Sequence, residues 1–472
     1  MLTKETILKR PEIQQLLQNY RQNIESSERL ALQHRDNYQI DPAFYDQYDV
    51  KCGLRNADGK GVLAGLTGIS TVRATKMENG VSVPAEGELF YRGYSIFDLV
   101  SGFIQQDRFG FEEIVYLLLT GDLPTQAELT DFHKLLADYQ ILPDHFKSSV
   151  IMHLPSDNIM NGIEKCVLAL HSTDPKPDDI SIPNVMRQCL ELIARFPSLA
   201  VYNYQMTQYF HNGSSMVLHK PDKTKTIAEN LLAMMRDDGQ YTKLEARLLD
   251  LALVLHAEHG GGNNSTFTMH VVTSSGTDTY SAISASLGSL KGPKHGGANL
   301  KVMEMFRDLK AHVTNWNDRD AIRNYLTSLL NREGFDRSGL IYGLGHAVYT
   351  VSDPRAKILK KFAEMLSDEK NMHDEFHLYE TVEEIATELL LERRKTTKGV
   401  CANVDFYSGF VYQMLGIPME LYTPIFAIAR VAGWSAHRIE ELTNSNKIIR
   451  PAYQPIGVEK QYVSLQERVK RV

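Results

Sequence analysis

Three short stretches of this sequence set a histidine or a carboxylate where chemistry could be done. His295 lies in Lys291-Gly-Pro-Lys-His-Gly-Gly-Ala-Asn299. Proline without a donor and paired glycines cannot continue a helix or strand, so the run is a bend, and the pattern from Ala298 to Leu309 predicts a helix after it. A ring at a helix N-terminus meets the positive end of the dipole, which disfavours imidazolium; the neutral ring can donate a hydrogen bond to a developing oxyanion. His346 repeats the arrangement in Ile341-Tyr-Gly-Leu-Gly-His-Ala-Val-Tyr349, with Asp353-Pro-Arg355 close behind. Asp405 lies in Asn403-Val-Asp-Phe-Tyr-Ser-Gly409. Burial among such neighbours would raise its proton affinity and make it a competent base, whereas an Asp or Asn here also suits a helix N-cap; the residues alone allow both.

Other residues invite a second reading beside the plain one. His256-Ala-Glu-His259 closes a leucine-rich helix ahead of Gly260-Gly261-Gly262. Histidines three apart at a helix end, without a third soft ligand, match no zinc spacing well. His259 is either a C-terminal capping histidine or a cation facing an anionic ligand. Arg355, Arg430 and Arg450 stand in apolar contexts, so each needs an anion, supplied by an internal salt bridge or by a substrate carboxylate.

The elements that must position these groups read as mostly helical. Phe111 to Gly121 is a helix stopped by glycine, with Pro124 beyond; Val185, Cys189, Leu192 and Phe196 form a stripe expected to break at Pro197; Leu244, Leu248, Leu251 and Leu255 form another. Thr423-Pro424 reads as a cap and first helical position ahead of Ile425, Ile428, Ala429 and Ala432. Smaller helices are expected from Ala321 to Ser367. The charged run Asp368–Glu384 suits a surface connection or, more plainly, a solvated helix face. Strand signal is confined to the glycine-punctuated, β-branched and aromatic stretches from Gly65 and from Gly87. Residues 1 to about 60 are polar, with a weak stripe through Ile13, Leu16, Leu17 and Tyr20, and read as an appended arm.

Composition bounds the possibilities. A chain of 472 residues, 43% hydrophobic, suits two globular domains. A net charge of −7 gives no basic field for a nucleic acid, so an anionic ligand must be met by local arginines. Cys52, Cys166, Cys189 and Cys401 have no paired spacing; core thiols in a reducing cytosol are expected. No apolar run reaches membrane-spanning length and no leader is visible, so a soluble, cytoplasmic protein is expected. No GxGxxG fingerprint or strand–helix alternation points to a nucleotide sheet.

Taken together, Gly292-Pro-Lys-His-Gly-Gly-Ala-Asn299, Gly343-Leu-Gly-His-Ala-Val-Tyr349 with Asp353-Pro-Arg355, and Asn403-Val-Asp-Phe-Tyr-Ser-Gly409 resemble the motifs of the citrate synthase family in the same order. The likeness runs from about Gly65 to Gly457 and includes Tyr91-Arg-Gly-Tyr94, Gly121-Asp-Leu-Pro-Thr125, His259-Gly-Gly-Gly-Asn263 and Arg450-Pro451. It implies a mainly α, two-domain helical fold with a few short strands near the N-terminus: an arm at 1–60, a large domain at 61–296 and 414–472, and a small domain at 297–413 that closes over the coenzyme A site.

The implied reaction is a Claisen-type condensation of acetyl-CoA with oxaloacetate, then hydrolysis of citryl-CoA, the opening step of the tricarboxylic acid cycle. By resemblance, Asp405 removes a methyl proton, neutral His295 stabilises the enol or enolate, and His346 polarises the ketone and protonates the alkoxide. His259, Arg355 and Arg430 would bind oxaloacetate, and Arg450 would reach the neighbouring subunit's site, making a homodimer the active unit. Ile341, Gly343, Gly345, Lys395 and Lys398 would meet coenzyme A. The resemblance implies no metal and no permanently bound cofactor. A 2-methylcitrate synthase acting on propionyl-CoA is the near alternative, since one methylene alters pocket affinity by only about 1–3 kcal/mol. A non-catalytic binding protein on the same scaffold is the distant one. The opening arm lacks the cysteine-bearing, β-rich start of the NADH-inhibited bacterial hexamers.

Overall fold

The computed structural model describes residues 8, 10–56, 59–394 (Arg394 by its backbone alone), 399–444 and 447–468. The chain groups into two units, one made of Met1–Ala64 with Pro451–Val472 and one of Gly65–Arg450. In the first, helix α1 (Pro11–Gln33) starts on a proline whose missing N–H falls where no helical partner exists, and a short α2 (Ala43–Gln47) follows. The stripe predicted for this arm is present but unburied: Leu16 is 63% and Tyr20 65% exposed. Cys52, expected as a core thiol, is exposed, since no described residue of this unit is buried; Cys166, Cys189 and Cys401 are buried and free.

The second unit opens with the strand signal. Strands β1 (Ser70–Glu78), β2 (Val81–Tyr91) and β3 (Tyr94–Ser95) form an antiparallel sheet in chain order. Asn79 and Gly80, both at positive φ, make the tight β1–β2 turn that this residue pair favours. Then come α3 (Ile96–Gln105), α4 (Phe111–Thr120), α5 (Gln126–Tyr139), α6 (Ile159–His171), α7 (Ile182–Asn212), α8 (Ile227–Met235) and α9 (Lys243–His256). They are followed by α10 (Asn264–Thr273), α11 (Thr279–Leu290), α12 (Ala298–His312), α13 (Arg319–Leu330), α14 (Pro354–Glu369), α15 (His373–Arg394), α16 (Val404–Met414) and α17 (Tyr422–Asn444). Reciprocal capping boxes, Thr125 with Glu128, Thr226 with Glu229 and Thr242 with Glu245, start α5, α8 and α9.

Helix α17 is the axis of the packing: Pro424 to Arg438 is buried, and α4, α7, α9, α10 and α11 lie against it. Helices α12 to α16 pack largely on one another, α14 on α15 and α16, α12 on α16, and α13 on α15. Contacts of α9 with α14 and α16, and of α12 with α17, join the two sets.

Two local expectations are corrected. Helix α7 does not break at Pro197 but runs through it. An interior proline loses one hydrogen bond and costs about 3 kcal/mol, which the burial of Phe196, Leu199, Ala200 and Val201 around it offsets. Helix α17 begins at Tyr422, before Thr423, because a 3₁₀ turn at Met419–Leu421 feeds directly into it. Thr423 is therefore not its cap; its hydroxyl donates to the Gly296 carbonyl at 3.1 Å. Pro424 still falls in the first turn, where no N–H is required. The run Asp368–Glu384 is mostly helix, as its plainer reading expected: α15 buries Phe376, Leu378, Tyr379 and Val382 and exposes Asp374 and Glu384, whereas Glu375 is buried and paired with Lys310 at 2.5 Å. Among the described residues no helix is long and apolar enough to cross a membrane.

Candidate active site

The turn after α9 carries His259. Tyr91, fully buried at the end of β2, sets its hydroxyl 3.1 Å from the Val254 carbonyl and 3.0 Å from the Glu258 carbonyl, pinning the strand to the turn. Helix α17 passes so close that a Cβ on Gly433 would lie 2.5 Å from the Ala257 carbonyl, so only glycine fits there. His259 meets His346 edge to face at a ring separation of 5.0 Å, and His346 stacks on Tyr349 at 4.8 Å.

The bend at His346 is zipped to the segment that leads into α16. Gly345 N–H donates to the Cys401 carbonyl at 2.8 Å, Asn403 N–H to the Gly343 carbonyl at 2.9 Å, and the Asn403 side-chain amide to the Gly345 carbonyl at 2.9 Å. Gly343 sits at φ +82° with Phe406 and Val302 where a side chain would be, which accounts for the glycine. In His346 itself, Nδ1 accepts the backbone N–H groups of Val348 at 3.0 Å and Tyr349 at 3.2 Å. A nitrogen that accepts carries no proton, so in the neutral ring the proton sits on Nε2.

Asn403, not Asp405, caps α16, accepting from the Asp405 N–H at 3.0 Å. That removes the cap reading of Asp405, whose Oδ1 is buried with no hydrogen-bond partner among the described residues. Burial pushes the carboxyl up to about 6, against the pull of Arg355 and Arg430.

His295 is held from the side of α10. Its Nε2 lies 3.0 Å from Ser265 Oγ, which also accepts the indole N–H of Trp434 at 3.1 Å. The ring precedes α12 by three residues, as predicted, and its basicity is depressed to about 4. The cause differs from the predicted one: burial dominates, followed by the Arg430 charge, rather than the helix dipole. His256 and His259 are likewise driven well below the ordinary histidine value, first by burial and then by Arg355, with Arg430 and, for His259, His346 adding to it. The expectation of a cationic or helix-capping His259 is therefore corrected to a neutral ring beyond the last turn of α9.

The arginines divide. Arg355 is in a buried bidentate pair with Asp353, Nε to Oδ1 at 3.1 Å and Nη2 to Oδ2 at 2.7 Å. Arg430 donates Nε–H to the His256 carbonyl at 2.7 Å and lies over the Phe426 ring at 4.7 Å. Its Nη1 and Nη2 are buried without a hydrogen-bond partner among the described residues, and burial and the like charge of Arg355 lower its affinity for its proton to about 10. A guanidinium held this way is incomplete without an anion. Arg450 is not brought to the group: it is exposed at the end of the unit and makes no ion pair among the described residues. Ile341 is buried in the core beside this bend, and Lys395 and Lys398 lie outside the described residues. A cavity of about 250 Å³ lined by Glu112, Gln140, Lys134 and Lys225 contains none of these groups.

Sequence reasoning missed Ser265 and Trp434, the residues that fix the His295 ring; serine is too common a residue to signal such a role. Asn403, to which sequence reasoning gave no role of its own, ties the His346 bend to the start of α16.

The family model described as "Citrate synthase, C-terminal domain" matches residues 56–452. The chain is 33% identical over 414 residues to 2-methylcitrate synthase 1 of Corynebacterium glutamicum, covering 86% of this chain and 97% of that protein. It is 35% identical over 409 residues to the citrate synthase of Synechocystis sp., covering 85% and 94%. Among solved structures it is similar to the Thermoplasma acidophilum citrate synthase in ternary complex with carboxymethyl coenzyme A and oxaloacetate, with a TM-score of 0.73, 28% identity and coverage of 88% of this chain and 99% of that one. With the helical architecture and the convergence of His259, His295, His346, Asp405, Arg355 and Arg430 in one buried region, these matches establish that the chain belongs to the citrate synthase family.

Proposed function

We propose that the chain is a citrate synthase that condenses acetyl-CoA with oxaloacetate and hydrolyses the citryl thioester to citrate and coenzyme A. The observation that carries this reading is the pairing of unsatisfied groups: an acid of raised basicity, Asp405, beside a buried guanidinium with two free N–H edges, Arg430. A thioester with an acidic α-C–H suits such a base and a dicarboxylate suits such a guanidinium, and acetyl-CoA with oxaloacetate offers both.

In this mechanism Asp405 takes a methyl proton from acetyl-CoA while the neutral His295 ring donates to the thioester oxygen, so charge builds on an oxygen facing a fixed donor. The Nε2–H of His346 polarises the oxaloacetate ketone and passes its proton to the alkoxide as the carbon–carbon bond forms. Arg430, Arg355 and His259 hold the carboxylates, and Arg450 completes the partner subunit's site in a homodimer. Residues 297–413 act as the smaller domain that closes over coenzyme A, with the 341–345 bend, Lys395 and Lys398 as its contacts; closure keeps water from the enolate and the thioester. The reading involves no bound cofactor and a cytoplasmic setting.

Relatives of both names match at similar identity, so the acyl group is the open choice. Purified protein with oxaloacetate is expected to release thiol from acetyl-CoA with a higher kcat/KM than from propionyl-CoA. A propionyl preference would reassign it to 2-methylcitrate synthesis, and no thiol release from either would overturn the enzymatic reading.

A further inference from the structure

A second buried cluster lies where α10, α17 and the Glu258 turn meet, and the mechanism does not use it. His270 on α10 turns Nδ1 to Glu441 Oε2 at 2.7 Å, and His437 on α17 turns Nε2 to Glu258 Oε1 at 3.0 Å. Glu258 Oε1 also accepts from the Ser70 hydroxyl at 2.9 Å and the Gly260 N–H at 2.5 Å, so it acts as a pure acceptor and His437 Nε2 must be the donor. With both outer nitrogens donating to carboxylates, both inner nitrogens are lone pairs in the neutral rings, and they face each other: His270 Nε2 is 3.1 Å from His437 Nδ1. Glu440 Oε2 stands 3.7 Å from the same His437 nitrogen, buried and without a hydrogen-bond partner. Its other oxygen, Oε1, is fixed by the Gly68 N–H at 2.7 Å. Arg92, whose charge reaches Glu440, spends Nε and Nη2 on the Leu118 carbonyl.

Two imidazole lone pairs and a carboxylate oxygen, all within 4.8 Å of one another, repel unless a shared proton or a metal cation sits between them. Tetrahedral zinc, with bonds of about 2.0–2.1 Å to nitrogen and oxygen, sets its ligand atoms about 3.3 Å apart, close to the spacings found here. Carboxylates on the far nitrogens of both rings are the usual support of metal-bound histidines, since they fix the tautomer and raise ligand basicity.

We propose that His270, His437 and Glu440 bind one divalent transition-metal ion, zinc by donor type, as a structural clip that ties the Glu258 turn to α10 and α17. Water takes the fourth position. The ion holds the segment that carries His259 and takes no part in the condensation, so the inference is independent of the acyl-CoA reaction.

The test uses the full chain freed of metal by chelator, titrated with zinc by calorimetry and with cobalt by visible absorption. One equivalent should bind, cobalt should show the intense d–d bands of a tetrahedral site, and zinc should raise Tm. His270→Gln and Glu440→Gln, checked for folding without metal, should each weaken zinc binding at least tenfold and lose the Tm rise. His171→Gln, in a separate His171, Asp178 and Asp278 cluster, should change neither. Absence of saturable zinc binding by the unaltered chain, as expected if the two rings merely share a proton, overturns the proposal. So does binding that survives both cluster substitutions or is lost with His171→Gln.

Discussion

The backbone N–H of Val348 donates to Nδ1 of His346 at 3.0 Å, and this bond determines which ring nitrogen can serve a substrate. The loop reads one side of the imidazole so that the other carries the proton. His346→Asn can keep the loop bond through its short amide but cannot reach the substrate, whereas His346→Ala loses both. Both variants should lose about 10²–10⁴-fold in kcat, the range for a positioned acid–base group, and Asn should retain the parent Tm more closely. Steady-state rates and thermal melts separate the two effects.

Asp405→Asn should reduce kcat by a similar or larger factor while making the protein more stable. The native carboxyl binds its proton with a pKa of about 6 against an ordinary 3.8, so the folded state binds the proton more tightly than the unfolded chain. Its contribution is therefore favourable at low pH and is lost as pH rises through about 6. Above that, a buried anion costs about 3 kcal/mol, which the amide avoids. Chemical denaturation at pH 8 should show a gain of about 1–3 kcal/mol for the variant, and a loss of stability would contradict the burial argument.

The acid limb of kcat/KM should report one group near pH 6. Asp405 must be ionised to act, whereas His295, held down to about 4, stays neutral throughout that limb. The stability linked to His295 has the opposite sign: it is present above about 6.5 and is lost as pH falls towards 4. His295→Gln should lower kcat without moving the limb; a limb that moves with it would assign the titration to the histidine.

Arg430→Gln should remove the Tm rise that oxaloacetate gives the parent and raise its KM at least tenfold. In the ligand-free protein the same change should cost little or add stability, because it removes a buried charge whose two terminal N–H groups have no partner. Differential scanning with and without oxaloacetate tests both halves.

Ser265→Ala should loosen the His295 ring and leave the Trp434 indole N–H without an acceptor, at about 1–3 kcal/mol in stability. Restoration of kcat by Ser265→Thr would mark the hydroxyl, rather than the cavity, as the cause.

Much was legible in the chain itself. Glycine and proline choose backbone conformations locally, so the bends at His295 and His346 and the helices between them could be read from neighbouring residues. Helical periodicity gave the mainly α fold for the same reason. Local chemistry could not exclude Asp405 as the cap, since that depends on Asn403 taking the position. Nor could it foresee that α7 would carry Pro197, because the burial that offsets the lost bond comes from other helices.

The inventory of chemical groups and the local turns that present them are written in the order of residues. The tertiary structure alone decided their charge states and partners. His295 and His259 are neutral because distant segments bury them beside Arg430 and Arg355, and Arg430 is left wanting an anion because packing buries its two terminal N–H groups with no acceptor among the described residues. Desolvation and long-range charge are properties of what surrounds a residue, and only packing supplies the surroundings.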